Sequence, residues 1–262
     1  MRLIQVFKMP SQNRTSSVVN NEYNDRSYNT LLSKYRKNTQ SIITDKLFLL
    51  YGSKKIRLVR AKKFLIMQDH EYNTFKYNEL FKNVYLHRSI IEIGCGFGRN
   101  LFAIRNLGYK GDLAGIDVSS NAISLAKLID KKLNLRVDFA KVDAKKMTSR
   151  DFKELKKSKS GLVMSYQFFE QIPNDVETVL TKLVDIFNGH HFVFIESRAE
   201  LTGTTMSEFI TKIYMRKKNY QNSLLKNLRS LQRRGVIANL KVEKYHCAGK
   251  YGHENAIYRF SA

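Results

Sequence analysis

The sequence predicts an α/β fold built on a doubly wound parallel sheet, and three observations predict it. An apolar run, Ser89 to Ile93, ends in glycines at alternate positions, Gly94, Gly96 and Gly98, and a helical pattern follows at once. Four more short runs follow, at Leu113 to Ile116, Arg136 to Val142, Gly161 to Ser165 and His191 to Ile195, each separated from the next by a helical pattern. Each of the four opens onto polar residues: Asp117, Asp143 with Ala144, Tyr166 to Glu170, and Glu196. In an open parallel sheet the site lies at those carboxyl ends.

Taken in order, Ser11 to Asn29 is rich in Ser, Asn, Thr and Arg without apolar periodicity, which predicts a loosely attached tail over residues 1–29. Thr30 to Tyr51 and Lys54 to Met67 show helical spacing in Leu31, Leu32, Tyr35 and then Ile56, Val59, Phe64. A polar linker, Gln68 to Asn73, leads to a third helical pattern, Thr74 to Val84, with Asn73 as N-cap. Residues 30–88 therefore read as a helical, basic extension, and residues 89–262 as the main domain.

Within that domain the glycine turn needs residues without side chains, because the chain reverses sharply and a ligand must reach the amides at the next helix N-terminus. Arg99 to Gly108 is that helix, with Gly108 as its stop. Ser119 to Leu133 is a second, capped by Ser119 or Ser120 and packed through Ala122, Leu125, Ala126 and Ile129. Pro173 or Asn174 to Phe187 is a third, with Gly189 just past its end. Ser207 to Arg234 reads as one long helix with a strongly basic polar face, ended by Gly235. Leu240 to Ala248 and Asn255 to Phe260 form a terminal hairpin.

A chain of 262 residues with 43% hydrophobic content buries one sizeable α/β core. Its two cysteines, Cys95 and Cys247, make neither a metal-spaced cluster nor a disulfide framework, so a reduced, cytoplasmic setting is expected. Met1 to Pro10 is too short and broken for a signal peptide, and no stretch approaches the roughly 20 apolar residues of a membrane span. The net charge is +23, and it is uneven: 17 basic against 6 acidic residues in Met1 to Arg88, 17 against 13 in Ser89 to Arg198, and 12 against 4 in Ala199 to Ala262. Basic flanks suit nucleic acid, an anionic surface or an acidic glycan, and equally a solvated face in a Lys-rich chain.

E-I-G-C-G-F-G (Glu92 to Gly98), G-I-D-V-S (Gly115 to Ser119), V-D-A (Val142 to Ala144) and S-Y-Q-F-F-E-Q-I-P (Ser165 to Pro173) together resemble the motifs of class I S-adenosylmethionine-dependent methyltransferases. The likeness covers roughly Ser89 to Arg198. It implies a seven-stranded, mostly parallel Rossmann-like sheet with S-adenosylmethionine as cofactor. By resemblance, the turn from Gly94 through Cys95 and Gly96 to Gly98 meets the methionyl and ribose region, and Glu92 anchors the ammonium. Asp117 holds the ribose hydroxyls with Val118 against adenine. Asp143 accepts from the adenine amino group beside the Ala144 amide, and Ser165 and Tyr166 line the methyl side. N-terminal helices in this family often cover the site, which makes Asp69, His70 and Tyr72 of the linker candidates for the acceptor pocket. A nicotinamide dinucleotide fits less well, since the turn is G-x-G-x-G and the two aspartates suit a nucleoside better than a pyrophosphate.

Methyl transfer is an in-line displacement that needs alignment and exclusion of water, and an oxygen acceptor also profits from a base. Glu170, Glu196, His246 and His253 are the candidates, and Gln167 and Gln171 stand where many relatives carry histidine. The expected acceptor is a small molecule or glycan, through an oxygen. The alternative is an RNA methyltransferase that holds phosphates with its basic flanks, against which stand the missing N-P-P-Y-like segment, catalytic cysteine motif and RNA-binding module. Oligomeric state is not legible.

Overall fold

The computed structural model describes residues 11, 18, 21, 27–46, 56–60, 64–68, 86–153, 155, 160–172, 174–197, 206–217, 223–245 and 255–262. Seven strands form one sheet in the order β5-β4-β3-β6-β7-β9-β8: β3 (Ser89–Ile93), β4 (Asp112–Asp117), β5 (Asp138–Lys141), β6 (Leu162–Tyr166), β7 (His191–Ser197), β8 (Ala238–Tyr245) and β9 (Asn255–Ser261). The pairs β3/β4 and β4/β5 are parallel, while β9 runs antiparallel to both β7 and β8. Two compact units make up the chain, Asn20–Met164 and Met1–Val19 with Ser165–Ala262.

In Asn20–Met164, every residue of β3 is buried, as a central parallel strand covered on both faces requires. Helix α3 (Arg99–Asn106) follows the glycine turn and buries Leu101, Phe102, Ala103 and Ile104. Helix α4 (Ser120–Leu133) is capped by Ser119, whose Oγ accepts from the Ala122 amide at 3.0 Å, and it buries Ala122, Ile123, Leu125, Ala126 and Ile129. Two short helices, α1 (Asn29–Lys37) and α2 (Gln40–Thr44), pack on α4 and bury Leu32, Tyr35 and Ile42. The single helix expected from Thr30 is therefore two. Asn38 leaves the helix at φ −143° and accepts from the Gln40 amide through Oδ1, a competing local bond of the kind asparagine favours.

A second correction concerns Lys54 to Met67, expected to be helical. The described backbone is an antiparallel hairpin of β1 (Ile56–Arg60) and β2 (Phe64–Gln68), with Leu58 opposite Ile66 and Val59 opposite Leu65. I-R-L-V-R and F-L-I-M-Q are rich in β-branched and aromatic residues, which favour pleated chain over helix. β5 also starts two residues later than expected. Asn134 and Arg136 sit at φ 49° and 58°, so the chain cannot extend before Val137, and Arg105 bonds the carbonyls of Leu135 and Arg136 at 2.8 and 2.9 Å.

In the other unit, α5 (Val176–Ile186) buries Val176, Val179, Leu180, Leu183 and Val184, one face at helical spacing. β7 and β9 lock through Phe192 and Phe260, register partners whose rings stack at 4.6 Å and 3°. The long helix expected from Ser207 is two, α6 (Met206–Lys217) and α7 (Leu224–Arg233). Ser223, the N-cap of α7, sits at φ −118° and ψ 1°, outside helical backbone, so α7 starts afresh there. The expected hairpin at the end of the chain is β8 with β9, and the expected helix Thr74 to Val84 lies outside the described residues. Among the described residues no helix is long and apolar enough to cross a membrane.

Candidate functional site

The glycine turn is built by backbone conformations that side chains disfavour. Gly94, Gly96 and Gly98 have φ of 69°, 55° and 83°. A Cβ on Gly98 would lie 2.5 Å from the Phe139 ring, and one on Gly96 would lie 2.6 Å from the Tyr28 hydroxyl. The turn is tied to the next strand by Cys95, whose amide donates to the Ile116 carbonyl at 2.9 Å.

Asp117, at the end of β4, organises the turn. Its Oδ2 accepts from the Gly96 amide at 2.9 Å and its Oδ1 from the Ser119 amide at 2.8 Å. Burial raises its carboxyl, and the amides of Ser119, Gly96 and Val118 pull it back toward the ionised form. Next to it, Val118 is 49% exposed, an apolar side chain turned to solvent at the strand end. Cys95 is buried, and its thiol is held well up by burial and by the charges of Asp117 and Glu92. It packs against Gly115, where a Cβ would meet its Sγ at 2.8 Å, so its part is packing rather than reactivity.

Glu92 is fully buried in β3 and accepts from Asn100 Nδ2 on α3, which fixes its carboxylate beside the turn. Asp143 is half-buried, its Oδ1 accepting from the Lys145 amide at 3.0 Å, and Ala144 beside it is buried. Sequence reasoning missed Tyr28 and Asn100. The Tyr28 ring meets Phe97 edge-on at 6.3 Å, and the Arg99 guanidinium lies over Phe97 at 5.1 Å, so an aromatic and cationic wall borders the turn. The one signal for Tyr28 was an aromatic residue in an otherwise polar stretch just ahead of α1.

In the other unit, Ser165 and Glu196 come together. The Ser165 hydroxyl donates to Glu196 Oε1 at 2.7 Å, and the amides of Phe168 and Phe169 donate to its two carboxylate oxygens at 3.1 Å each. Glu196 is wholly buried, which pushes its carboxyl up to about 8. Gln167, at φ 54°, ties the segment to β7 by donating its amide to the Ile195 carbonyl at 2.9 Å. Tyr166 is half-buried, and Glu170 is buried and accepts from Gln171 Nε2 at 3.0 Å. His246, His253, Asp69, His70 and Tyr72 lie outside the described residues. Among the described residues no group of His, Cys, Asp and Glu is placed to hold a metal ion.

Known proteins resemble this chain in sequence and fold. A family model described as a methyltransferase domain matches residues 87–248. An uncharacterized protein of Methanocaldococcus jannaschii is 39% identical over 69 residues, which is 26% of this chain and 29% of that protein. The chain thus aligns with under a third of the length of this curated relative. Among solved structures, the [4+2]-cyclase SpnF superposes with a TM-score of 0.57 at 14% identity, over 84% of this chain and 94% of that one. The plantazolicin methyltransferase BpumL, solved with a pentazolic desmethylPZN analog and SAH, superposes with a TM-score of 0.50 at 18% identity, over 93% and 95%. At such identities the two establish the fold, and a cyclase beside a methyltransferase shows that fold alone does not fix a reaction. The family match spans more than half of the sequence and includes the glycine turn and the ends of β3 to β7, and the chain belongs to the class I S-adenosylmethionine-dependent methyltransferases.

Proposed function

We propose that this methyltransferase takes S-adenosylmethionine on the turn between β3 and α3 and methylates a polar acceptor, through an oxygen of a sugar, glycan or small molecule. The observation that carries the donor site is Asp117. A carboxylate accepts about four hydrogen bonds, and beside the amides at 2.8 and 2.9 Å and the pull of the Val118 amide Asp117 keeps acceptor capacity for a ribose hydroxyl. The residues around it fit the rest of the donor. Exposed Val118 offers an apolar face to adenine, Asp143 retains its Oδ2 for the adenine amino group beside the Ala144 amide, and Glu92 supplies negative charge for the ammonium. The side-chain-free turn gives close approach to backbone amides.

When bound, the cofactor supplies a methyl group on a sulfonium, already a good leaving group. The protein's work is then alignment and exclusion of water. In this proposal Ser165 and Tyr166 border the methyl side, and Glu196 is a positioning residue: its carboxylate holds Ser165 and the Phe168 and Phe169 amides in place. A base for an acceptor hydroxyl adds to the rate, and Glu170 and His253 remain the candidates. The second reading, transfer to RNA, draws support from the excess of 12 basic over 4 acidic residues in Ala199 to Ala262.

Calorimetric titration with S-adenosylhomocysteine tests the donor site. Asp117→Ala abolishes binding while the thermal melting transition is retained, and unchanged affinity would overturn the assignment. Transfer of a labelled methyl group to a product that resists ribonuclease supports the sugar or small-molecule acceptor, and a ribonuclease-sensitive product supports RNA.

A further inference from the structure

Two consecutive helices each present exposed cations to which the donor site assigns no part. Helix α6 buries Met215 and presents Phe209, Lys212 and Arg216, which share one face at spacings of three and seven. Phe209 is 52% exposed. Helix α7 buries Leu224, Leu225, Leu228 and Leu231 and presents Lys226, Arg229 and Arg233, with Arg234 as its C-cap. Its ten residues contain no acid. Among the described residues, none of these six exposed cations is ion-paired.

Three features point to an anionic, base-bearing partner. Lys226, Arg229 and Arg233 repel one another along the helix, and the repulsion is relieved when counter-anions bind. The whole chain prefers lysine, with 29 Lys to 17 Arg, yet three of the four cations on α7 and its C-cap are arginine. A guanidinium fork matches two phosphate oxygens, which an ammonium cannot do. An exposed phenyl ring in helical register with two cations is the third feature, because unpaired bases stack on such a ring whatever their identity. Chain length limits the gap between the end of α6 and the start of α7, since Lys217 to Leu224 spans at most about 25 Å, a distance that a few nucleotides of single strand can bridge.

We infer that α6 and α7 form a docking surface for single-stranded nucleic acid, with the cations on phosphates and Phe209 under a base. The inference is independent of which acceptor is methylated. Fluorescence anisotropy of the full chain with oligo(U), oligo(dT), a blunt duplex and phosphatidylserine vesicles, over a salt series, tests it.

Oligo(U) or oligo(dT) is expected to bind more tightly than duplex or vesicles, with a log affinity against log salt slope of about −4 if all six cations engage single-strand phosphates. Replacing Lys226, Arg229, Arg233 and Arg234 together by Gln weakens binding at least tenfold at low salt and makes the slope shallower by about 3 units. Phe209→Ala weakens it several-fold and leaves the slope unchanged. Intact S-adenosylhomocysteine binding and thermal melting show that the variants are folded. Absence of oligonucleotide binding, tighter binding of duplex or vesicles, or a quadruple variant with unaltered affinity and slope would each overturn the inference.

Discussion

At the scale of single residues, Glu196 shows how a buried carboxylate shapes both a loop and a pH response. Burial pushes its carboxyl up to about 8; the Ser165 hydroxyl opposes this, the Glu170 charge adds to it, and the Phe168 and Phe169 amides oppose it. Its ordinary value is 4.5, so between that pH and about 8 the folded chain holds a proton that the unfolded chain has released. The folded state then binds more protons, and stability falls as pH rises through that window: the contribution is full below 4.5 and lost above about 8. Glu196→Gln keeps the shape and removes the ionisation, so it flattens this fall. Denaturant midpoints measured across the window check it, and an unflattened profile would assign the pH dependence to other groups. The place of such residues was legible, their wiring was not. Asp117 and Glu196 both announce themselves as acids closing apolar runs. Nothing in the sequence says that Asp117 would take its amides from Gly96 and Ser119, or that Glu196 would hold Ser165, because those bonds join positions 21 and 31 residues apart as well as near neighbours.

At the scale of elements, α1 and α2 belong to the same compact unit as the glycine turn. Lys34 Nζ and the buried Tyr35 hydroxyl both donate to Asp45 Oδ2, the latter at 3.0 Å, and the Lys34 bond holds the Asp45 carboxyl below its usual range. That clamp closes the corner between the two helices, and Leu32, 2% exposed, supplies the apolar contact. Leu32→Ala is expected to destabilise the protein by about 2–4 kcal/mol through the cavity it leaves. Urea denaturation measures this, and a loss well under about 1 kcal/mol would mean that the site collapses around the smaller side chain. Of the elements with a long, one-sided apolar pattern, α4 was legible nearly to the residue, while α5 starts at Val176 rather than at Pro173 or Asn174, with Asp175 as its N-cap. The hairpin β1–β2 was not legible. Ile56, Val59 and Phe64 fit a helical period and the strands are only five residues each, too short for periodicity to separate helix from strand. The break at Asn38 hides for a related reason: it is a local hydrogen-bonding choice by a small polar side chain within an otherwise helical pattern.

At the scale of the whole molecule, the excess of charge is itself a physical variable. With 46 basic against 23 acidic residues, the folded chain confines a net charge of +23 that the unfolded chain spreads over a larger volume. Self-repulsion therefore weighs against the compact state, and screening relieves it. The Debye length falls from about 30 Å at 0.01 M salt to about 8 Å at 0.15 M, so charges spread over the molecule cease to act on one another across that range. The thermal midpoint is expected to rise with added sodium chloride, by roughly 2–4 °C for each kcal/mol of repulsion removed. At matched ionic strength phosphate raises it further than chloride, because guanidinium groups such as Arg229, Arg233 and Arg234 bind that anion directly as well as being screened by it. Scanning fluorimetry over both salts measures the two effects separately. A midpoint that is flat or falls in chloride would mean that the acidic residues already balance the field in the folded state. A rise common to both salts would leave general screening as the whole effect, with no discrete anion site contributing to stability.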